Sequence, residues 1–201
     1  SIGDRAIRLT LEAYELADRE SGHPELRHKI EHAECIAADD IKRFGQPFIV
    51  ASFQPLHANP EPAWMSAWIK NAGPEREQRA FAWNSVLKAG GRLAFGSDWP
   101  VVTINPWPGV QMAVTRKDWE GKPQGGWLPG ERITLEQAIY AYTLGGAYAL
   151  NEEGIRGSIE PGKLADLVLL SQNIFEIPVN KIRETTSVLT MVGGKIIYDA
   201  R

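Results

Sequence analysis

Hydrophobic positions along the chain switch repeatedly between helical and strand-like spacing. Ile7, Leu11 and Tyr14 recur three and four residues apart, between Asp4 as a candidate N-cap and Gly22 as a stop, so residues 4–19 are predicted to be helical. Lys29-Ile30-Glu31-His32 is a short strand candidate, and residues 39–44 a short helix closed by Gly45. The unbroken apolar run from Phe48 to Phe53 suits a strand covered on both faces of a parallel sheet. A helix is predicted over 75–89, with Phe81 and Leu87 on one face and Gly90-Gly91 ending it, before a third short strand at 92–95. Residues 99–130, rich in Pro, Gly and Trp, read as one long irregular loop of the kind that carries function. Thr134-x-Glu136 then opens an apolar helix that runs to Leu150.

Helix and strand alternate throughout this part, the pattern of an α/β fold with a parallel sheet. After Asn151 the texture changes to short β-rich runs, 165–170 and 188–192, the second joined through Gly193-Gly194 to 195–198 as a hairpin. A boundary is therefore expected near 151–157, dividing residues 1–153 from 154–201. An eight-stranded α/β barrel takes roughly 250 residues. The first part has room for about three of its units, so it is either a small three-stranded sheet or a piece of a barrel.

Composition narrows the class without choosing a function. The chain has 201 residues, 43% of them hydrophobic and 23% charged, with a net charge of -3 and both signs mixed. That balance suits an ordered globular protein and lacks the basic face that nucleic acid would need. No apolar run approaches the length of a membrane span, and no leader opens the chain. Cys35 is the single cysteine, so no intrachain disulfide can form; it reads as a small buried hydrophobe, and a cytoplasmic setting is expected.

Candidate chemistry gathers at the ends of the predicted strands. His32 and Asp98 both fall at C-terminal strand tips, the edge where ligands collect in parallel α/β sheets. Imidazole and carboxylate are zinc donors, although a lone histidine such as His32 is more often a surface or hydrogen-bonded core residue, and Asp98 could equally be a turn residue or helix cap. His57, just beyond the 48–53 strand, could polarise a substrate carbonyl or be an ordinary loop histidine. His23 and His28 read as solvated. Of the seven tryptophans, Trp99, Trp107, Trp119 and Trp127 could wall an apolar pocket in the long loop, whereas Trp64, Trp68 and Trp83 suit helix packing.

Several of these segments resemble the amidohydrolase superfamily, in particular the amidohydrolase family 3 branch that includes N-substituted formamide deformylases. The matching pieces are Ile2-Gly3-Asp4-Arg5-Ala6, Lys29-Ile30-Glu31-His32-Ala33, Ala51-Ser52-Phe53-Gln54-Pro55-Leu56-His57 and Gly73-Pro74-Glu75-Arg76. Further on come Leu93-Ala94-Phe95-Gly96-Ser97-Asp98-Trp99-Pro100-Val101, the stretch from Gly157 to Val168, and Met191-Val192-Gly193-Gly194-Lys195. The Gly157–Val168 stretch marks the superfamily, while Ile-Glu-His and Gly-Ser-Asp-Trp-Pro mark the branch.

The resemblance implies the C-terminal part, about strands 6–8, of a TIM-type (β/α)8 metal-dependent hydrolase barrel, with 154–201 forming part of a composite β-sandwich. It implies His32 and Asp98 as ligands of zinc or another divalent metal, Asp98 also as proton carrier, His57 as a catalytic group on the oxyanion, and Trp99 with His57 in the substrate pocket. The implied reaction is hydrolysis of a C–N bond in a small-molecule, non-peptide amide. Alternatives are a deamination or cyclic-amide opening, or a non-catalytic α/β domain that binds a ligand or partner. In the family the segment before Asp4 reads His-x-Ile-Gly-Asp, so a ligand histidine is expected directly before Ser1 and the chain reads as a C-terminal fragment. Two ligands fall short of the three a catalytic zinc needs. The chain alone is thus expected neither to hold zinc tightly nor to hydrolyse amides, and its open edges would favour a homo-oligomer.

Overall fold

The computed structural model describes residues 1–23 and 25–201, with 62–64 described by backbone only, so the packing expected of Trp64 lies outside the described residues. Three parallel strands, β1 (His28–Glu31), β2 (Ile49–Phe53) and β3 (Arg92–Phe95), lie in that order in one sheet, as the alternating pattern predicts. Their register places Ile30, Ala51 and Leu93 side by side, and Glu31, Ser52 and Ala94 on the next rung. Side chains alternate across a sheet, so the first rung joins the main core, while Ala94 of the second clusters with Val50 and Ala149 on the other face. The helix-facing side joins one large core that takes in Ile7 and Leu11 of helix α1 (Asp4–Ser21), Phe44, Phe53, Trp83 and Met112. No helix among the described residues is long and apolar enough to cross a membrane.

Several elements differ from their sequence pattern. Gly3, not Asp4, is the N-cap of α1; Asp4 instead accepts from the Arg5 N–H and from Arg76. Residues Ala38–Gly45 are a 3-10 helix. His28 is half-buried, its ring stacked 4.5 Å from that of Tyr14, because it opens β1 instead of lying in a solvated turn.

The helix expected over 75–89 is two pieces that follow α2 (Pro62–Ala72): α3 (Pro74–Glu77) and α4 (Trp83–Lys88). Between them Phe81 sits at φ 50 and Ala80 bridges to Cys35. Arg116 explains the break. Its fully buried guanidinium donates to the carbonyls of Ala80, Phe81 and Trp127 at 3.2, 3.0 and 2.6 Å. It also lies over the Trp83 and Trp127 rings. Burial pushes its pKa down to about 9, which still leaves it cationic at neutral pH.

The expected loop over 99–130 contains a buried helix, α5 (Trp107–Thr115). Its Pro-Gly start hides it in the sequence, although Pro is tolerated in a first helical turn. Gly109 lets Tyr142 approach closely, since a Cβ there would displace the Tyr142 hydroxyl. The last long helix is likewise two, α6 (Leu135–Tyr142) and α7 (Leu144–Ala149), broken at Thr143. The Thr134 side chain caps α6 in a capping box with Gln137, not Glu136. Gly145 lets α7 lie against β3, where a Cβ would meet the Leu93 carbonyl.

Tyr148 closes the N-terminal edge of the parallel sheet. Its ring lies 3.5 Å from the Arg27 guanidinium carbon and 4.2 Å from that of Arg92, and its hydroxyl donates to the Pro47 carbonyl. Arg27 also pairs with Glu153 at 2.6 Å. The segments preceding or opening all three strands thus meet one side chain.

Strands β4 (Leu167–Leu170), β5 (Ser187–Val192) and β6 (Lys195–Asp199) form a second, antiparallel sheet. Gly193 and Gly194, at φ 55 and 80, turn the β5–β6 hairpin as their sequence predicts. This sheet leaves Val168, Leu169, Ile196 and Ile197 exposed, while Ile174 and Ile182 reach back into the main core.

Two stability outcomes follow from this frame. Arg116→Met removes three hydrogen bonds and leaves the Ala80 and Trp127 carbonyls without a donor, and is expected to lower the unfolding free energy by about 3 kcal/mol in urea titration. Tyr148→Ala is expected to cost about 2 kcal/mol from lost ring packing and cation–π contact. Since it acts at the edge away from Asp98, ion binding by the Tyr148→Ala protein should match the wild type.

Candidate metal centre

The opposite, C-terminal edge of the sheet carries the polar groups. His32 directly follows β1 at φ 71 and Ala33 follows at φ 47; Asp98, three residues beyond β3, sits at φ 61. Non-glycine residues rarely occupy this region, and they do so chiefly where surrounding contacts hold them and a site needs it. Here the Ala33 and Cys35 N–H groups donate to the Ser1 and Ile2 carbonyls, and the Phe81 N–H donates to the Glu34 carbonyl. His57 lies in the 3-10 turn Pro55–Ala58 after β2, its side chain only 5% exposed.

These turns bring His32, His57 and Asp98 together, and they add Glu34. The two imidazole rings lie nearly parallel, 15° apart, with centroids separated by 5.7 Å. On one edge Glu34 Oε1 is 3.9 Å from His32 Nδ1 and 3.7 Å from His57 Nδ1. On the other edge Asp98 Oδ2 is 3.9 Å from each Nε2. Glu34 is 8% exposed and Asp98 38%. The Trp68 indole N–H donates to Glu34 Oε2 at 2.9 Å and so fixes the buried carboxylate.

The donor set fits a divalent cation. Imidazole nitrogen and carboxylate oxygen are zinc's usual non-thiolate ligands, and His32, Glu34 and His57 each offer an atom within 4.8 Å of the others. His32 Nδ1 is buried and makes no hydrogen bond. Separations of 3.7–3.9 Å are too long for hydrogen bonds. They are only slightly wider than the ~3.4 Å between neighbouring ligands around a tetrahedral ion with bonds of ~2.1 Å.

Beside the pair lies a cavity of ≈ 360 Å³, lined by Lys29, Glu31, His32, Ser52, Gln54 and Asp98 among others. Glu31 Oε2 accepts from Ser52 Oγ at 2.5 Å and from Gln54 Nε2 at 3.2 Å, so the polar rung of the sheet is internally bonded. The tryptophans expected to form one wall are dispersed. Trp107 and Trp127 are core residues, Trp119 stacks on Arg183, and Trp99 next to Asp98 is 63% exposed. Trp68 and Trp83 pack as expected, Trp68 also serving Glu34. His23 is exposed beside Glu25, and Cys35 is buried, with burial pushing its thiol pKa up.

Sequence reasoning passes over Glu34. The available signal was its place two residues after His32, where a turn leaving the strand can bring both side chains back to the same edge.

A family model for the amidohydrolase family matches residues 1–198, and the chain belongs to that family. It is 37% identical to Protein LONG AFTER FAR-RED 3 of Arabidopsis thaliana over 98% of this chain and 33% of that protein. It is 30% identical to an N-substituted formamide deformylase of Arthrobacter pascens over 98% of this chain and 35% of that enzyme. An uncharacterized metal-dependent hydrolase from Pyrococcus furiosus superposes with a TM-score of 0.62 at 29% identity, over 81% of this chain and 30% of that one. The chain spans about a third of the length of the curated relatives it matches.

Proposed function

We propose that this chain supplies the strand 6–8 edge of a metal-dependent hydrolase that cleaves a C–N bond in a small amide, with N-substituted formamides as the first class to test. The observation that carries this reading is the convergence of two histidines and two carboxylates on the edge of the parallel sheet where such chemistry collects. Membership of the amidohydrolase family supports hydrolysis; the deformylase relative supports the substrate class.

His32 with Asp98 would hold the ion, zinc being the metal that suits these donors best. When bound, such an ion supplies Lewis acidity that polarises a carbonyl and activates water. Asp98, half-exposed toward the cavity, takes the proton from the attacking water and returns it to the leaving amine nitrogen. His57 would donate toward the carbonyl oxygen as charge builds there. The exposed Trp99 ring, adjacent to Asp98, offers an apolar surface to the amine substituent. Residues 1–153 form the barrel part in this reading, and 154–201 contribute to a composite β-domain whose exposed apolar strands are covered by further polypeptide.

Since the curated relatives are about three times as long, the reading assigns the remaining substrate and ligand contacts to sequence outside these 201 residues. Release of formate and amine from N-substituted formamides should therefore be measured in the longest natural polypeptide containing this sequence and in the 201-residue chain. Turnover is expected from the first and not from the second. In the longer polypeptide Asp98→Asn keeps the shape but removes the base, and kcat is expected to fall by about 10³-fold with little change in KM. Near-normal kcat in that variant would remove Asp98 from the mechanism.

A further inference from the structure

We infer that a second cavity, walled by Arg183 and Trp119, is a binding site for a small organic carboxylate with an apolar or aromatic body. The inference stands apart from the hydrolytic reading and uses none of its site residues. This cavity measures ≈ 490 Å³ and is lined by Leu56, Asn59, Val102, Pro108, Trp119 and Arg183 among others. It shares no lining residue with the cavity beside the histidines. Its walls come from separate parts of the chain. Leu56 and Asn59 belong to the turn that follows β2, Val102 to the loop that follows β3, and Arg183 to the 3-10 turn Val179–Glu184.

Arg183 is the group that selects the ligand. Its guanidinium lies over the Trp119 ring, 5.1 Å from the centroid, and makes no hydrogen bond or ion pair among the described residues. A cation over a ring is held by the ring's charge distribution and not by its own N–H groups. Those groups stay available for the two oxygens of a carboxylate, the partner that a guanidinium fork matches. The backbone that presents Arg183 is fixed, since its N–H donates to Gln111 Oε1 at 3.1 Å and the preceding Ile182 is fully buried in the main core. A site held in place before the ligand arrives loses less to ordering. Glu184 also lines the cavity, but its carboxylate is compensated by Lys181 Nζ at 2.9 and 3.2 Å. Leu56, Val102, Pro108 and the Trp119 ring supply apolar surface for the ligand's body. Asn59 adds an amide that makes no side-chain hydrogen bond among the described residues, its oxygen buried. One unpaired cation among apolar walls has the make-up of a small-molecule pocket. It suits a monocarboxylate, whereas a phosphate dianion would leave charge uncompensated beside Glu184.

Calorimetric titration of the longest natural polypeptide containing this sequence tests the site. The probes are phenylacetate, its neutral counterpart 2-phenylethanol, and inorganic phosphate as an anion without an apolar body. Phenylacetate is expected to bind at one site, and the other two at least about 10-fold more weakly. Arg183→Gln should weaken phenylacetate about 30-fold, the loss of a charge-assisted pair. Arg183→Lys should fall between, because it keeps the charge and loses the fork. Trp119→Leu should weaken binding about 5-fold, and Asp98→Asn should bind as the wild type does. Phenylacetate should also raise the thermal midpoint of the wild type but not of Arg183→Gln, whose midpoint without ligand shows whether it folds.

Equal affinity for phenylacetate in Arg183→Gln would overturn the inference, as would no binding to the wild type or equal affinity for 2-phenylethanol. Phosphate binding as tightly as phenylacetate would overturn the assigned ligand class. Binding that survives in Arg183→Gln and is lost in Asp98→Asn would put the carboxylate at the hydrolytic edge and remove this site. If Arg183→Gln does not fold, Arg183→Lys and Trp119→Leu decide the question, and wild-type affinity in both would overturn the inference. Formamide turnover is a separate readout, so the hydrolase and this site can fail independently.

Discussion

One buried guanidinium fixes the part of the fold on which the site depends. Arg116 reaches across from the end of α5 and gathers the carbonyls of Ala80, Phe81 and Trp127, of which Phe81's also accepts from the Trp83 N–H. Holding a charge without water is unfavourable, as its lowered pKa reflects, yet withdrawing it would take away the one donor that the Ala80 and Trp127 carbonyls have. With those carbonyls held, Phe81 can stay in the left-handed region and present its N–H to the Glu34 carbonyl. Trp68 packs against both Phe81 and Trp127, the rings that flank this cation, and from there its indole meets the Glu34 carboxylate. Backbone and side chain of Glu34 are thus positioned from the same aromatic cluster.

The sheet separates stability from chemistry along its strands. At the N-terminal edge Tyr148 is clamped by Arg27 and Arg92 and bonded to Pro47, contacts that tie the three strand starts together. At the C-terminal edge the backbone turns through left-handed residues at His32, Ala33 and Asp98. Such conformations cost of order 1–3 kcal/mol each, and the stapled opposite edge and continuous core are what sustain them. A strained edge on a rigid sheet can aim side chains across a gap; a relaxed loop would leave their spacing undetermined.

How much of this was legible depends on how local the cause is. The strands were readable because burial on both faces forces largely apolar runs, as in Ile49–Phe53, and the Gly193-Gly194 hairpin because its turn demands positive φ at both positions. The breaks in the helices were not, since they arise from distant partners: Arg116 interrupts 75–89, and nothing near Phe81 in sequence announces it. The helix Trp107–Thr115 was masked by Pro and Gly, which seemed to mark a loop, although Gly109 serves the close approach of Tyr142. At the site, His32 and Asp98 could be picked from their places at strand ends. Glu34 could not be ranked above any other acid near a turn until its burial and its bond to Trp68 were visible.

The geometry of the histidine pair also limits what the site can do. An imidazole has two ring nitrogens on different edges, and here both rings present the Nδ1 edge to Glu34 and the Nε2 edge to Asp98. The carboxylates are therefore kept apart by the rings and do not compete for one position, as two acids sharing a site would. Their surroundings differ in the direction that separates holding from reacting. A buried carboxylate with one oxygen fixed has little freedom to exchange partners, whereas one that borders an open cavity can meet water and substrate. In the proposed reading, proton traffic thus runs at Asp98, on the solvent side of the rings, while Glu34 on the dry side stays fixed by Trp68.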